Sequence, residues 1–266
     1  MGLWYIIIYT GRSKLDCIGL TERGVNAVDF DPAQLEVNLS QAMENYLLTI
    51  FHLNEDGIEV TVTNLAQALR EIPLDEHIGT SMPSVIGMIN RMKKEDLIRD
   101  DEGRPVILTE LGEYFALDMV RRHRVEETMV VELLGVELDK AHIEAHKLEH
   151  AISAELLDII IERLENPQFS PFGEQIPDKE DSFDSLQNYL RLDEGLMGVQ
   201  YKIKSIPEED PELIRFFMQH GILPGTPITI TESGKSIGVV TLDTPSGTAT
   251  IGFEVASKIK VNLVAD

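Results

Sequence analysis

A chain of 266 residues with 46 acidic and 23 basic side chains carries a formal net charge of −23. That balance excludes indiscriminate binding of nucleic acid or anionic membrane by the whole surface and leaves room only for a local basic patch. The single cysteine, Cys17, excludes an internal disulfide framework and a cysteine-rich zinc site and fits a reducing, cytoplasmic compartment, and no apolar run approaches the length of a membrane span.

Residues 1–38 show no clear period and read as an N-terminal extension outside the folded core. From Ser40 to Leu53 the pattern is an amphipathic helix with Tyr46, Leu47, Ile50, Phe51 and Leu53 on its apolar side. Thr63 to Leu69 is a second, short helix. Arg70 to Thr80 holds Pro73 and Gly79 and is too punctuated for regular structure. A third helix starts at Ser81, where serine can cap and Pro83 suits the first turn, and runs to about Glu95. Leu97–Arg99 and Pro105–Leu108 then read as a hairpin. Three helices followed by a hairpin is the winged helix-turn-helix order, in which the third helix enters the DNA major groove. Residues 39–108 are therefore expected to read DNA, with Arg91, Lys93, Lys94 and Arg104 meeting phosphates.

Thr109 opens a long helix to about Leu134, carrying His123 and Glu127 four residues apart. The next helix, expected to start at an Asp139 cap, holds His142, His146, Glu149 and His150. At about 100° per residue these four side chains fall within roughly a third of the circumference. Imidazoles and carboxylates gathered on one face suit a divalent transition metal. Ser153 to Leu164 follows as a helix whose apolar positions wrap more than one face, which fits contact with a second subunit. The acidic stretch 178–198 reads as a linker. From Val199 the period becomes two, and five short strands with one helix, Pro211 to His220, describe a small barrel over 199–266.

The segments MENYLLTIFHL, SMPSVIGMINRM, RRHRVEE, HIEAHKLEH and SPFGEQIP resemble the diphtheria-toxin-repressor family of metal-dependent transcriptional regulators. GILPG resembles the SH3-like module of ferrous-iron-transport accessory proteins. The resemblance covers about 39–266 and implies a multidomain fold, mainly α then β: a winged helix-turn-helix, a helical metal-binding and dimerisation domain over 109–177, and an SH3-like barrel. It implies one metal site from Asn45, His146, Glu149 and His150, and a second from His123, Glu127 and His142 with a carboxylate near Asp210 or Glu212. The implied cofactor is Mn²⁺ or Fe²⁺, with Zn²⁺ or Co²⁺ accepted in vitro; the implied partners are a second copy of the chain and a palindromic DNA operator. Ser81, Pro83 and Ser84 match the family's DNA-contact positions, whereas Arg70–Thr80 is longer than the family's tight turn. Two rival readings come from other classes. His146-Lys147-Leu148-Glu149-His150 spells the inverted zinc-peptidase signature, with Glu149 as general base. A metal-binding interaction module that has lost DNA is the other.

Overall fold

The computed structural model describes residues 39–70, 79–100, 105–148, 151–178, 189–234 and 236–264, together with the backbone of three strands nearer the N-terminus. Those strands, β1 (Tyr5–Ile8), β2 (Asp16–Thr21) and β3 (Gly24–Asp29), pair antiparallel in the order β1-β2-β3. Regular structure thus stands where the sequence pattern showed no period. The strands' sequences, YIII, DCIGLT and GVNAVD, do not alternate strictly between apolar and polar residues.

Residues 39–108 form a helical unit closed by a short hairpin. Helix α1 (Gln41–Glu55) buries Tyr46, Leu47, Ile50 and Phe51 completely. Helix α2 (Val62–Ala68) starts at Thr61, whose side chain accepts the Asn64 N–H. Helix α3 (Met82–Lys94) is capped by Ser81 and carries a proline in its first turn, as expected. Its Val85, Ile89 and Met92, spaced three or four apart, face the core. Strands β4 (Ile98–Arg99) and β5 (Ile107–Leu108) make the hairpin. Arg104 and residues 71–78 lie outside the described residues.

Helix α4 (Glu110–Glu132) is the central strut, capped by Thr109. His123 to Thr128, six residues in succession, are all fully buried. Such a run covers the whole circumference, so α4 is enclosed on every side there. Helix α5 (Leu138–His146) starts one residue before the expected Asp139 cap, with Glu137 as N-cap. Asp139 is instead held by Arg215, whose Nη1 donates to Oδ2 at 3.1 Å. The helix also stops sooner than expected, at His146, and Lys147 and Leu148 form a turn. Helix α6 (Ala154–Arg163) buries Leu157 and Ile160 and leaves Leu156 and Ile159 exposed.

The C-terminal unit is a six-stranded antiparallel sheet in the order β10-β9-β8-β7-β11-β6. Its strands are β6 (Leu190–Arg191), β7 (Gln200–Ser205), β8 (Pro227–Gly234), β9 (Val239–Thr244), β10 (Gly247–Gly252) and β11 (Lys260–Leu263). Helices α7 (Pro211–His220) and α8 (Phe253–Lys258) cover it. The acidic stretch expected to be a linker therefore contributes a strand, β6, and a buried Leu192. The sheet's core is continuous with α4 and α5, since Val130 and Ala141 belong to the same cluster as Phe217 and Ile228. Among the described residues no helix is long and apolar enough to cross a membrane.

The segment Ser170–Ile176 is the seam between the helices and the sheet. The Ile206 N–H donates to Phe172 O at 3.0 Å. Gly173 has φ +90°, and a Cβ there would stand 2.0 Å from the carbonyl oxygen of Lys204 at the end of β7. Gly173→Ala is expected to cost at least about 1–2 kcal/mol for the left-handed backbone alone, with the clash added. Thermal unfolding measures it; a variant as stable as the parent would mean that the seam opens without cost.

Candidate metal centre

Helical spacing brings the first ligands together. His123 and Glu127 are one turn apart on α4, and α5 crosses it so that His142 meets both. Glu127 Oε1 lies 3.1 Å from His123 Nε2 and 3.0 Å from His142 Nδ1, and the two ring nitrogens are 3.1 Å apart. A fourth group arrives from the sheet unit. Glu208, in the loop after β7, places Oε1 3.8 Å from each of those nitrogens. All four residues are buried, and one ligand atom of each lies within 4.8 Å of the others.

These separations can be compared with a coordination shell. At a metal–ligand bond of about 2.1 Å, neighbouring ligand atoms stand about 3.0 Å apart in octahedral and about 3.4 Å apart in tetrahedral geometry. The observed 3.0–3.8 Å brackets both. Glu127 Oε2 and Glu208 Oε2 are buried without a hydrogen bond. Two buried carboxylates side by side repel, and a cation between them removes that cost. Burial would raise the Glu127 carboxyl, but His123 and His142 outweigh it and hold it well below the usual range. Burial pushes Glu208 well above that range, and the neighbouring Glu127 charge adds to the push. Hard oxygen and imidazole nitrogen together suit Mn²⁺, Fe²⁺ or Zn²⁺.

His146 stands beside the first set of histidines. It was expected beside Asn45, Glu149 and His150, yet its ring lies 4.7 Å from His123 and 4.6 Å from His142 between centroids. Glu149 and His150 lie outside the described residues, and Asn45 is buried on α1. Because α5 ends at His146, the inverted peptidase signature does not sit on one helix. Asp210, expected from the sequence to help hold this metal, is not among the four clustered groups, whose second carboxylate is Glu208. Asp210 is exposed and caps α7, its Oδ1 accepting the N–H groups of Glu212 and Leu213 at 2.8 and 3.2 Å. Glu212 lies in the first turn of that helix, outside the cage.

Ser81, the cap of α3, and Pro83 and Ser84 in its first turn, expected to contact DNA, are exposed, as are Arg91 and Lys94. Positions 83, 84, 87, 91 and 94 recur at helical spacing and form one solvent stripe opposite Val85, Ile89 and Met92. Lys93 is half-buried and paired with Asp100.

Residues 109–178 match the model described as "Iron dependent repressor, metal binding and dimerisation domain", and 190–263 match the FeoA domain. Together they span more than half of the chain. The chain is 29% identical over 238 residues to the iron-dependent repressor IdeR of Mycobacterium tuberculosis, covering 85% of this chain and 99% of that one. To the diphtheria toxin repressor of Corynebacterium glutamicum it is 29% identical over 210 residues, 75% of this chain and 88% of the other. A solved manganese-dependent transcriptional repressor in complex with manganese superposes with a TM-score of 0.72 at 26% identity, over 84% of this chain and all of that one. The manganese regulator SloR shares the fold with a TM-score of 0.70 at 23% identity, over 85% and 100% of the two chains.

Proposed function

Since the chain belongs to the diphtheria-toxin-repressor family of metal-dependent regulators, we propose that it is a DNA-binding repressor of iron or manganese homeostasis. It acts as a cytoplasmic homodimer and catalyses no reaction. The observation that carries this reading is the buried cage of His123, Glu127, His142 and Glu208, in which α4, α5 and the sheet domain converge. A bound Mn²⁺ or Fe²⁺ supplies the positive charge that the two carboxylates share. His123 and Glu127 fix α4, His142 fixes α5, and Glu208 seats the sheet domain. Asn45 on α1, with His146, Glu149 and His150, is proposed as a second ligand set that fixes the reader, residues 39–108.

The reader presents the exposed Ser81, Pro83 and Ser84 at the start of α3 to the major groove, and the exposed Arg91 and Lys94 to phosphates; Arg104 is proposed to join them there. Lys93, also proposed to meet phosphates, is paired with Asp100 just after β4. The exposed Leu156 and Ile159 of α6 are proposed to meet a second copy. A dimer with both readers fixed meets two half-sites about one helical turn apart.

Selection of duplexes from a random pool tests this, first with chelator and then with Mn²⁺, anaerobic Fe²⁺, Co²⁺ or Zn²⁺. One palindrome is expected to be enriched only with metal, and the ranking of metals identifies the effector. A folded dimer that takes up metal and enriches no sequence would refute the repressor and leave an interaction module.

A further inference from the structure

Beside the cage lies a buried ionic cluster that no metal reading uses. Arg124, next in the chain to His123, has no exposed surface. Its Nη2 donates to Glu55 Oε2 at 2.7 Å, and its Nη1 donates to Gln175 O at 2.7 Å. Glu174 Oε2 stands 3.9 Å from the same guanidinium. Lys260 closes the cluster: Nζ donates to Glu174 Oε1 at 2.8 Å and lies 3.8 Å from Glu55 Oε1. It also sits over the Tyr189 ring at 4.7 Å, and that tyrosine's hydroxyl donates to Glu55 O. Two anions and two cations therefore balance, and they come from four places: the end of α1, the middle of α4, the seam and the first residue of β11.

Lys260 is placed to do more than balance charge. In the sheet it pairs across the ladder with Ser205, the last residue of β7. The chain leaves β7 there, anchors Ile206 to the seam through Phe172 O, and reaches Glu208. Glu174, the partner of Lys260, is on that same seam. One cavity is lined by Glu55, Arg124, Glu174 and Lys260 and also by Glu208. We propose that Lys260 is a positioning residue for the metal cage: paired with Glu174 and Glu55, it clamps the β7–β11 edge to the helices and so holds Glu208 against His123 and His142. Glu208 is the one cage residue that the helices do not supply, so it is the ligand most dependent on how the sheet is seated. This inference rests on the reading of the cage as the metal site.

The test is Mn²⁺ affinity of the full chain, by competition with a fluorescent chelator, in E208Q, K260M, K260R and the double variant K260M/E208Q. Outer-shell partners typically change metal affinity about 10–100-fold. K260M is expected to weaken binding at least about tenfold, K260R to restore most of it, and K260M to add little once Glu208 is gone. In metal-free protein the Ile206 amide is expected to exchange with solvent faster in K260M. Should K260M fail to fold, E174M/K260M removes one anion and one cation together and is expected to fold with the same weakened affinity. Additive losses in K260M/E208Q, no rescue by K260R, or unchanged Mn²⁺ binding and Ile206 exchange in K260M would each overturn the clamp. Unchanged affinity in E208Q would instead overturn the reading of the cage.

Discussion

His123→Ala is expected to remove the response of this protein to metal. His123 is the hub of the cage: Nε2 lies 3.1 Å from both Glu127 Oε1 and His142 Nδ1, and its ring is tilted against that of His146 at 4.7 Å between centroids. Metal present at a hundred times its dissociation constant stabilises a folded protein by about 2.7 kcal/mol. For a chain of this size that is a rise of roughly 5–10 °C in melting temperature. Loss of one of four ligands is expected to weaken binding at least about a hundredfold, given that even outer-shell changes cost about 10–100-fold. At the same metal concentration the stabilisation then falls to about 0.4 kcal/mol, and the rise to about 1 °C. Operator affinity with Mn²⁺ is expected to fall to the value found with chelator. His220→Ala is the control, because that histidine is stacked on Phe216 in α7, away from the cage. Its metal response is expected to match the parent's. A full response in His123→Ala would place the regulatory metal elsewhere.

What the sequence revealed and what it hid follow from how each candidate ligand reaches the site. His123, Glu127, His142 and His146 were legible because helical periodicity puts residues four apart on one face, and the two helices are consecutive. Glu208 was not legible. It comes from a loop after a strand, and only the packing of the sheet against α4 and α5 brings it to the histidines. Asp210 also carries a local signal of its own. Asp210 followed by Pro211 is a helix start, with the carboxylate accepting backbone N–H groups of the first turn. The ionic cluster had no sequence signal at all, since Glu55, Arg124, Glu174 and Lys260 lie in four separate elements.

The same logic governs the fold. Helices α1, α3 and α4 were visible because each runs several turns with an apolar stripe, and α3 and α4 have a capping side chain. Strand β6 and helix α8 were missed because two and six residues are too few to show a period. Leu190-Arg191 is a strand only because β11 offers it a ladder. The end of α5 at His146 was hidden for a similar reason. The alanine, histidine and lysine run would continue a helix on propensity, yet the Leu148 N–H turns back to Ala145 O at 2.8 Å, and Ala151 and Ile152 both return to Leu148 O. His146, the last helical residue, has its ring against that of His123 on α4.

Arg124→Ala is expected to be the most destabilising single change in the described structure. Burial alone would favour the neutral form of Arg124, but Glu55 and Glu174 hold its charge more firmly than usual. Lys260 and Arg124 in turn outweigh burial at Glu174 and keep its carboxyl below the usual range. Deleting the guanidinium leaves Glu55, 4% exposed, with Lys260 at 3.8 Å as its remaining cation. It also strands the carbonyl of Gln175 and uncovers the Phe51 ring, over which the guanidinium sits at 5.7 Å. Breaking a buried ion pair from one side costs about 3–5 kcal/mol, so metal-free protein at neutral pH is expected to melt roughly 10 °C lower or more. The double variant R124M/E55M separates charge from packing. It removes one cation and one anion together and leaves the Lys260–Glu174 pair intact, and exchanging a buried pair for apolar groups of similar volume is often neutral. It is expected to recover at least half of the loss. If Arg124→Ala costs less than about 1 kcal/mol, the range of exposed pairs, water reaches the cluster. The four charges would then be a hydrated surface network, and the seating of the sheet would rest on the apolar contacts of Phe172, Val130 and Ala141 instead.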